Sequence, residues 1–327
     1  MPMPRKIDWE SQIGRRLKLR DLHAFFTAAQ RGSMSKAAQH LGVSQPAVSE
    51  AIADLEQALG VRLLDRGPHG VEPTMYGGAL LRRSAAVFDE LKQSIRDIEF
   101  LADPTAGEVK IGCPEAIAAV LPPILERFSR LYPRVVLHVD QVNTATLELP
   151  GLREREFDLV VALLLTPHVD DGRGHDLNIE VLFNDHLVVV AGMRSRWARR
   201  RKIDLAELVD EPWILATPGS GPHRIVSEAF QARGLSTPNI SLMTLSVHLR
   251  ANMVASGQFI TTFPNSVVRL HADRLSLKVL PVDLPVRPWP VAIVTLKNRT
   301  LSPGVERFIE HVRDFTRPMR AGPPGQR

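Results

Sequence analysis

The sequence has almost no cysteine, since Cys113 is the only one among 327 residues. One thiol cannot form an intramolecular disulfide or build a cysteine-based zinc or iron–sulfur site, so those scaffolds are excluded. No apolar run approaches the roughly 20 residues that span a bilayer. The first residues, MPMPRKIDWESQ, lack the apolar stretch of a signal peptide. We therefore expect the protein to act in the cytoplasm.

Catalytic motifs are also absent. The chain has no GxSxG elbow, no GxxxxGK[ST] loop, no HExxH pair and no GxGxxG after a strand. Gly219-Ser220-Gly221 resembles a phosphate loop only superficially, and the eleven histidines are dispersed. We expect no enzymatic activity, no cofactor and no metal. An enzyme remains the main rival class. The other rival, a periplasmic binding protein, would need an export signal and would have no use for the first hundred residues.

What charge there is lies unevenly. The composition, 44% hydrophobic and 24% charged, is that of a globular protein with a formal charge of +5. Residues 1–36 hold eight basic residues against three acidic ones, and the remainder of the chain is balanced. The basic residues are Arg5, Lys6, Arg15, Arg16, Lys18, Arg20, Arg31 and Lys36. A basic end on a neutral body is compatible with a polyanionic partner.

Three short helices are predicted after a basic, loosely ordered extension over residues 1–17. Apolar residues recur at helical spacing from Leu19, and Gly32 ends the first helix. Ser33 and Ser44 are predicted to cap the second and third helices, with Pro46 in the first turn of the third. A short β-hairpin around residues 67–70 follows.

Residues 34–58 carry the strongest motif. Two helices that meet around a tight turn need small residues where their backbones touch and apolar residues where both rest on a first helix. The chain has these types at the required spacing: Ala37, Ala38, Leu41, Gly42, Val43, Val48 and Ala51. The spacing favours a helix-turn-helix, and an ordinary helical hairpin is the alternative.

A long helix is predicted from Tyr76 to Leu101. Its apolar seam alternates steps of three and four and comprises Leu81, Ser84, Phe88, Leu91, Ile95 and Ile98. Such a seam suits packing against a second helix, although it could also cover the helix's own domain. We favour dimerisation through four of these residues, namely Leu81, Phe88, Leu91 and Ile95.

Beyond a linker at residues 103–107, strands alternate with helices, which implies mostly parallel sheets covered by helices. The expected strands are 108–111, 135–139, 159–164, 187–191, 213–216, 259–262 and 291–295. The expected helices are 117–131, a broken 144–155, 222–233, 247–255 and 303–315. The tail from Arg317 is rich in proline and glycine and is predicted to be disordered.

The stretch GSMSKAAQHLGVSQPAVSEAIADLEQALGVRLLDR resembles the signature of LysR-type transcriptional regulators, and VEPTMYGGALL is similar to the end of their wing. The resemblance implies an α+β protein. Residues 18–75 would form a winged helix-turn-helix, 76–106 a linker helix and hinge, and 107–316 a two-lobed α/β effector domain similar to periplasmic solute-binding proteins. Lobe I would span 107–165 and 267–316, and lobe II 166–266, with a disordered tail at 317–327.

The resemblance also implies partners. They are double-stranded promoter or operator DNA, a small-molecule effector of unknown identity, and further copies of the chain in a homodimer or homotetramer. RNA polymerase is an additional candidate, and no membrane is involved. The residues carried over to DNA contacts are Ser35, Lys36, Ser44, Gln45, Pro46, Ser49, Arg62, Arg66 and His69. Members often carry basic residues where this chain has Glu50, Ala53 and Asp54, so affinity would depend more on the basic arm.

The effector is expected between the lobes, where strand ends meet helix starts. The residues expected to line this cleft are Cys113, Glu115, Asn143, Thr144, Ser220, Gly221 and Ser246. Free N–H groups at helix starts suit carboxylate or phosphate oxygens. Each serine or threonine there could instead be a plain helix cap. Glu115 stands where members often have a small hydroxyl residue, which leaves an amine or a metal-bridged ligand open. Pro150-Gly151 interrupts a helix and Arg155 replaces a glycine, so the cleft should differ in shape from that of relatives.

Overall fold

The computed structural model describes residues 16–67, 70–103, 105–144, 146–165, 174–272 and 275–320. The chain divides into two compact units, Met1–Ser94 and Ile95–Arg327. None of the helices in the described ranges is long and apolar enough to cross a membrane.

The first unit is a three-helix module with a hairpin. Its elements are α1 (Leu19–Arg31), α2 (Met34–Leu41), α3 (Gln45–Leu59), β1 (Leu64–Gly67), β2 (Gly70–Pro73) and the beginning of α4 (Met75–Ala102). The core consists of Phe25, Ile52 and Leu55 together with small residues such as Ala37 and Ala38, all buried. The predicted helices, caps and hairpin are confirmed to within one or two residues.

The hairpin is fixed to the end of α1 by backbone contact. The N–H of Val71 donates to the carbonyl oxygen of Gly32 at 3.0 Å. Gly70 has a φ of +123°, and a Cβ at this position would overlap the same carbonyl oxygen. Only glycine allows this approach without strain, so the turn after α1 sets the position of the wing.

The second unit contains two five-stranded sheets. Its elements are β3 (Ala106–Cys113), α5 (Glu115–Ala118), α6 (Pro122–Leu131), β4 (Arg134–Gln141), α7 (Pro150–Arg153), β5 (Leu159–Leu163), β6 (Leu177–Asp185), β7 (Leu187–Gly192), β8 (Trp213–Leu215), α8 (Gly221–Ala232), β9 (Ile240–Met243), α9 (Val247–Ala255), β10 (Ile260–Pro264), α10 (Asn265–His271), β11 (Leu277–Val279), β12 (Trp289–Leu296) and α11 (Pro303–Arg320). The orders are β4-β3-β5-β12-β6 and β11-β7-β10-β8-β9. We call the first sheet with its helices lobe I and the second lobe II.

The expectation of mostly parallel sheets is confirmed for strand direction, because four of the five strands in each sheet run the same way, but half of the neighbouring pairs are antiparallel. In lobe I, β3 pairs in parallel with β4 and β5, but β12 runs antiparallel to both β5 and β6. In lobe II, β8 pairs in parallel with β9 and β10, but β7 is antiparallel to β10 and β11. Every antiparallel pair contains β7 or β12, which are the first strands after the places where the chain passes from one sheet to the other.

The lobe boundaries differ from those expected at two strands. The strand β6 pairs with β12, so residues 177–185 belong to lobe I rather than lobe II. The strand β11 pairs with β7, which places residues 277–279 in lobe II. The chain therefore crosses once at His186 and again between Val279 and Trp289. These strands were missed because their partners are distant in sequence and their own patterns are short or irregular.

Prolines account for the helix boundaries that differ. The helix expected over 117–131 is two helices, α5 and α6, because Pro122 and Pro123 supply no backbone donor. The helix expected over 144–155 is reduced to α7, which Pro150 begins. Disorder from Arg317 is wrong for 317–320, since α11 continues through Pro318 and Arg320 Nε donates to the Leu182 carbonyl at 2.9 Å. Residues 321–327 lie outside the described residues.

Candidate DNA-reading surface and effector cleft

The start of α3 is open to solvent. Its cap is Ser44, whose Oγ accepts from the N–H of Ala47 at 3.4 Å. Gln45 and Pro46 are exposed in the first turn, and Ser49 is half-buried one turn further. The side chains of a helix presented in this way can meet base edges in the major groove, while the helix N-terminus can meet a phosphate. The residues predicted for this surface therefore lie together on one helix.

The start of α2 offers a second polar surface. Ser33 Oγ accepts from the N–H of Lys36 at 3.4 Å, and Ser35 and Lys36 are exposed. The helix ends at Gly42, which has a φ of 65° and bonds back to the carbonyls of the last turn. Ala38 is buried and leaves space for α2 and α3 to approach closely. This turn sets how α3 is presented.

The wing is tied to both helices beside it. Glu56 Oε1 accepts from the N–H groups of Leu63 at 2.7 Å and Leu64 at 3.2 Å. Thr74 Oγ accepts from Gly77 N–H at 3.1 Å and donates to the Arg62 carbonyl at 2.7 Å. Sequence reasoning missed both roles. The helix-cap rule could have found Thr74, whereas Glu56 left no local signal because its partners lie in another element.

Arg62 and Arg66 are exposed before and within β1, as a phosphate-contacting wing requires. His69 lies outside the described residues. The reading helix carries Glu50 and Asp54 on its exposed surface and has no lysine or arginine. Exposed basic residues of this unit lie instead on the wing, on α2 and around Lys18.

The seam of α4 does not act as one surface. The Phe88 ring lies 5.1 Å from the His23 ring and 5.3 Å from the Phe26 ring, both on α1. Leu81 packs against the core of the same module. Leu91 and Ile95 are 40% and 57% exposed. Leu81 and Phe88 remain half-buried despite these contacts, so dimerisation through all four residues stays a prediction.

Cys113 does not line a cleft. It is completely buried at the end of β3. Burial, with a smaller contribution from the Asp140 carboxylate, raises the pKa of the thiol to about 11. The thiol is therefore protonated near neutral pH, and its assignment to effector binding is a wrong prediction.

The start of α8 uses its own serine internally. Ser220 Oγ donates to the Thr217 carbonyl at 2.6 Å and accepts from the His223 N–H at 3.4 Å. Gly221 is buried, and a Cβ there would lie 2.5 Å from Cδ1 of Leu165, a residue just beyond the end of β5. These contacts are those of a helix cap packed against the other lobe.

The remaining cleft candidates lie after β4 and beside α7. Thr144 is buried and Asn143 is exposed. The hydrogen bonds of Ser220 go to its own segment, so they do not bring Thr144 to it. Arg155 has a φ of 63°, so an arginine occupies a left-handed turn that favours glycine.

The structure brings Glu115 and Ser246 together at the start of α9. Glu115 Oε1 accepts from the N–H of Val247 at 2.7 Å, across 132 residues of sequence. Ser246 Oγ accepts from the N–H of Leu249 at 3.2 Å. Because Glu115 belongs to lobe I and α9 to lobe II, this hydrogen bond links the two lobes.

A buried arginine near this contact was not predicted. Arg250 is 5% exposed, and its Nη1 donates to the Thr262 carbonyl at 3.0 Å. Burial lowers the pKa of Arg250 to about 10, and attraction by the Glu115 carboxylate partly raises it again. A signal was present in the sequence, because position 250 falls in the buried stripe of Val247, Ala251 and Val254.

No group of three or more His, Cys, Asp or Glu side chains suited to a metal ion occurs in the described ranges. The fold defines a winged helix-turn-helix module joined to a two-lobed domain of the substrate-binding type. This is the architecture of a DNA-binding transcription regulator with an effector domain.

Comparison with known proteins agrees with this class. A family model described as "Bacterial regulatory helix-turn-helix protein, lysR family" matches residues 19–78, and one described as "LysR substrate binding domain" matches residues 102–317. The chain belongs to the LysR family of transcriptional regulators. It is 27% identical to the uncharacterized HTH-type transcriptional regulator YdcI of Escherichia coli K12, over 93% of this chain and 97% of the relative. It is 29% identical to GbpR of Azospirillum brasilense, over 91% of this chain and 86% of that relative.

Solved structures give the same fold. A full-length single-residue variant of OxyR from Pseudomonas aeruginosa is 25% identical and matches with a TM-score of 0.62, over 92% of this chain and 95% of that one. Full-length CbnR in complex with its target DNA is 21% identical and matches with a TM-score of 0.57, over 91% of this chain and 99% of that one. The second likeness concerns the fold alone.

Proposed function

We propose that this LysR-family regulator reads its operator with the first two turns of α3. Gln45 and Ser49 would contact base edges, and Ser44 with Pro46 would fit the helix start against a phosphate. Ser35, Lys36, Arg62 and Arg66 would contact the backbone. The regulator would act on bacterial promoters in the cytoplasm and would carry no catalytic activity.

The observation that carries this proposal is the open start of α3. Its cap is satisfied by Ser44 alone, and the side chains of Gln45 and Pro46 are exposed. The wing is held beside this surface through Glu56 and Gly32, so the helix and the wing form a fixed pair of contact surfaces.

Substitution of Gln45 tests the base-reading role. A duplex selected by the wild-type protein from a random pool serves as the operator, and a scrambled duplex measures non-specific binding. Gln45→Ala should cost about 1–3 kcal/mol on the selected duplex and almost nothing on the scrambled one. Gln57→Ala, an exposed glutamine later on the same helix, is the matched control. Equal losses on both duplexes would show that Gln45 does not read bases.

The same proposal places a small-molecule effector between the lobes, near Thr144, Asn143, Ser220 and Gly221. Their positions at strand ends and helix starts support it. A thermal-shift screen of a metabolite library should identify a ligand. In DNA titrations with that ligand, Ser220→Ala and Thr144→Val should each bind the ligand more weakly, by about 0.5–1.5 kcal/mol. If the ligand changes DNA binding by both variants at the concentrations that the wild type needs, the sensing site lies elsewhere.

Self-association is proposed through the exposed part of α4. Leu91 and Ile95 remain available, whereas Leu81 and Phe88 pack within the chain. Sedimentation should show a smaller assembly for Leu91→Asp with Ile95→Asp. An unchanged assembly would place the main contacts in the effector domain.

A further inference from the structure

The N-terminus of α9 is occupied by a side chain from the other lobe. The helix is nine residues long, and the N–H of Val247 donates to Glu115 Oε1 at 2.7 Å. The N–H of Leu249 is taken by Ser246 Oγ. A carboxylate at a helix N-terminus is stabilised by the free N–H groups and by the positive end of the helix dipole.

A buried cation adds to this positive end. Arg250 lies three residues after Val247 on the same face of α9, and helical side chains lean toward the helix N-terminus. Its Nη1 bonds the Thr262 carbonyl, but its buried Nε has no hydrogen-bond partner within the described residues. A helix start with a spare guanidinium donor is a suitable donor set for a carboxylate.

We infer that the start of α9 and Arg250 form a carboxylate site whose resident ligand is the chain's own Glu115, and that this ligand fastens lobe I to lobe II. The inference rests on the proposed function, because it concerns the cleft where the effector would bind. A free carboxylate can use this site only by displacing Glu115, so its binding there and the Glu115 link between the lobes exclude each other.

The residues that follow α5 also contact lobe II. Val120, two residues after α5, packs in the lobe II core with Val190, Ile214 and Phe263. The ring of His271 on α10 contacts the carbonyl of Ala119. Glu115 is therefore the charged end of a segment that lobe I inserts into lobe II, and its carboxylate is near enough to Arg250 to attract the buried charge of that side chain.

Chemical rescue tests this site in the full-length protein. Glu115→Ala removes the tethered carboxylate and leaves space for a small free one. The probe is sodium acetate at pH 7, compared with sodium chloride at the same concentration, and the readout is the thermal unfolding midpoint. Glu115→Gln fills the same space without charge, so it should melt below wild type and should not respond to acetate.

We expect the Glu115→Ala midpoint to fall by about 2–6 °C and to recover at least half of that loss as acetate saturates. Wild type and Glu115→Gln should show the same small change in acetate and in chloride. An equal acetate response in all three proteins, or wild-type melting of either variant, would overturn the inference. If Glu115→Ala does not fold, the midpoint of Glu115→Gln decides alone.

Acetate rescue of a double variant locates the site. Adding Arg250→Met to Glu115→Ala should abolish the acetate response. If the response is retained, Arg250 is not part of the carboxylate site. These measurements use neither DNA nor the effector. If acetate does not restore the midpoint of Glu115→Ala but Gln45→Ala loses specific DNA affinity as expected, only this inference is refuted. If acetate restores the midpoint but the metabolite screen finds no ligand, only the proposed effector is refuted.

Discussion

Three serine-capped helix starts of this chain look alike in sequence and differ in use. Ser44, Ser220 and Ser246 each accept a hydrogen bond from the third residue after them, at 3.4, 3.4 and 3.2 Å. The start of α3 is open to solvent. The start of α8 packs on Leu165, and that of α9 receives Glu115.

The difference shows what a cap signal can predict. A serine before an apolar stripe fixes where a helix begins, because the cap bond is local. Whether the free end of that helix can bind anything depends on residues far away in the sequence. In the DNA-binding unit those residues leave the start of α3 open, whereas in the effector unit Leu165 packs on the start of α8 and the Glu115 carboxylate occupies that of α9.

The largest expected effect comes from a substitution that displaces α3 and so changes how the exposed start of that helix is presented. Ala38 is 5% exposed in the α2 contact, so Ala38→Glu should bury a charge and cost about 5 kcal/mol. DNA binding should be lost, while the unfolding transition of the effector unit remains. Gln39→Glu, at the exposed neighbouring position, is the control and should keep the wild-type fold. Full DNA binding by Ala38→Glu would contradict the packing described for α2 and α3.

An intermediate effect tests the packing of the α8 start against Leu165. Gly221→Ala places a Cβ against Leu165, with 2.5 Å to Cδ1 and 3.2 Å to Cβ, whereas Gly304 in α11 has no atom within 4 Å of an added Cβ. Alanine favours both helices over glycine. We expect Gly221→Ala to be less stable than Gly304→Ala by about 1–3 kcal/mol in chemical unfolding. Equal stabilities would mean that the α8 start is not held against lobe I.

The smallest effect compares two caps directly. Ser44→Ala and Ser246→Ala should each lose about 1 kcal/mol of stability in chemical unfolding, since each removes one cap bond. Only Ser44→Ala should also weaken binding to the selected duplex. A similar loss of DNA affinity in Ser246→Ala would show that the two starts do not differ in the way described.

The DNA-binding unit could be predicted almost residue by residue because its signals are local. Gly32, Gly42 and Gly60 end their helices in left-handed conformations, and the exposed position of Gln45 followed from the cap at Ser44. The role of Phe88 was not predictable. A seam at alternating spacing records which face of a helix is apolar and does not record which surface covers it.

The effector unit was predictable in outline only. Most of its strands and helices were placed to within a few residues, but β6, β9, β11 and α10 were missed. Cys113 was assigned to the cleft because it follows a strand, whereas its side chain packs in the core. The link between Glu115 and Val247 left no trace in sequence spacing, since it depends on how two lobes meet.

The first crossing between the lobes has a mechanical consequence. His186 alone separates β6 from β7, and Asp185 beside it accepts from the N–H of His186 at 2.8 Å and from Ser266 Oγ at 2.5 Å. The second crossing contains Pro281, Pro285 and Pro288, whose φ angles are fixed by their rings. The first connection is thus short and held by hydrogen bonds of Asp185, and the second is stiffened by its prolines. We expect relative motion of the lobes to be a rotation about the line that joins the two connections, so that a small displacement near His186 becomes a larger one at the far rim of the cleft.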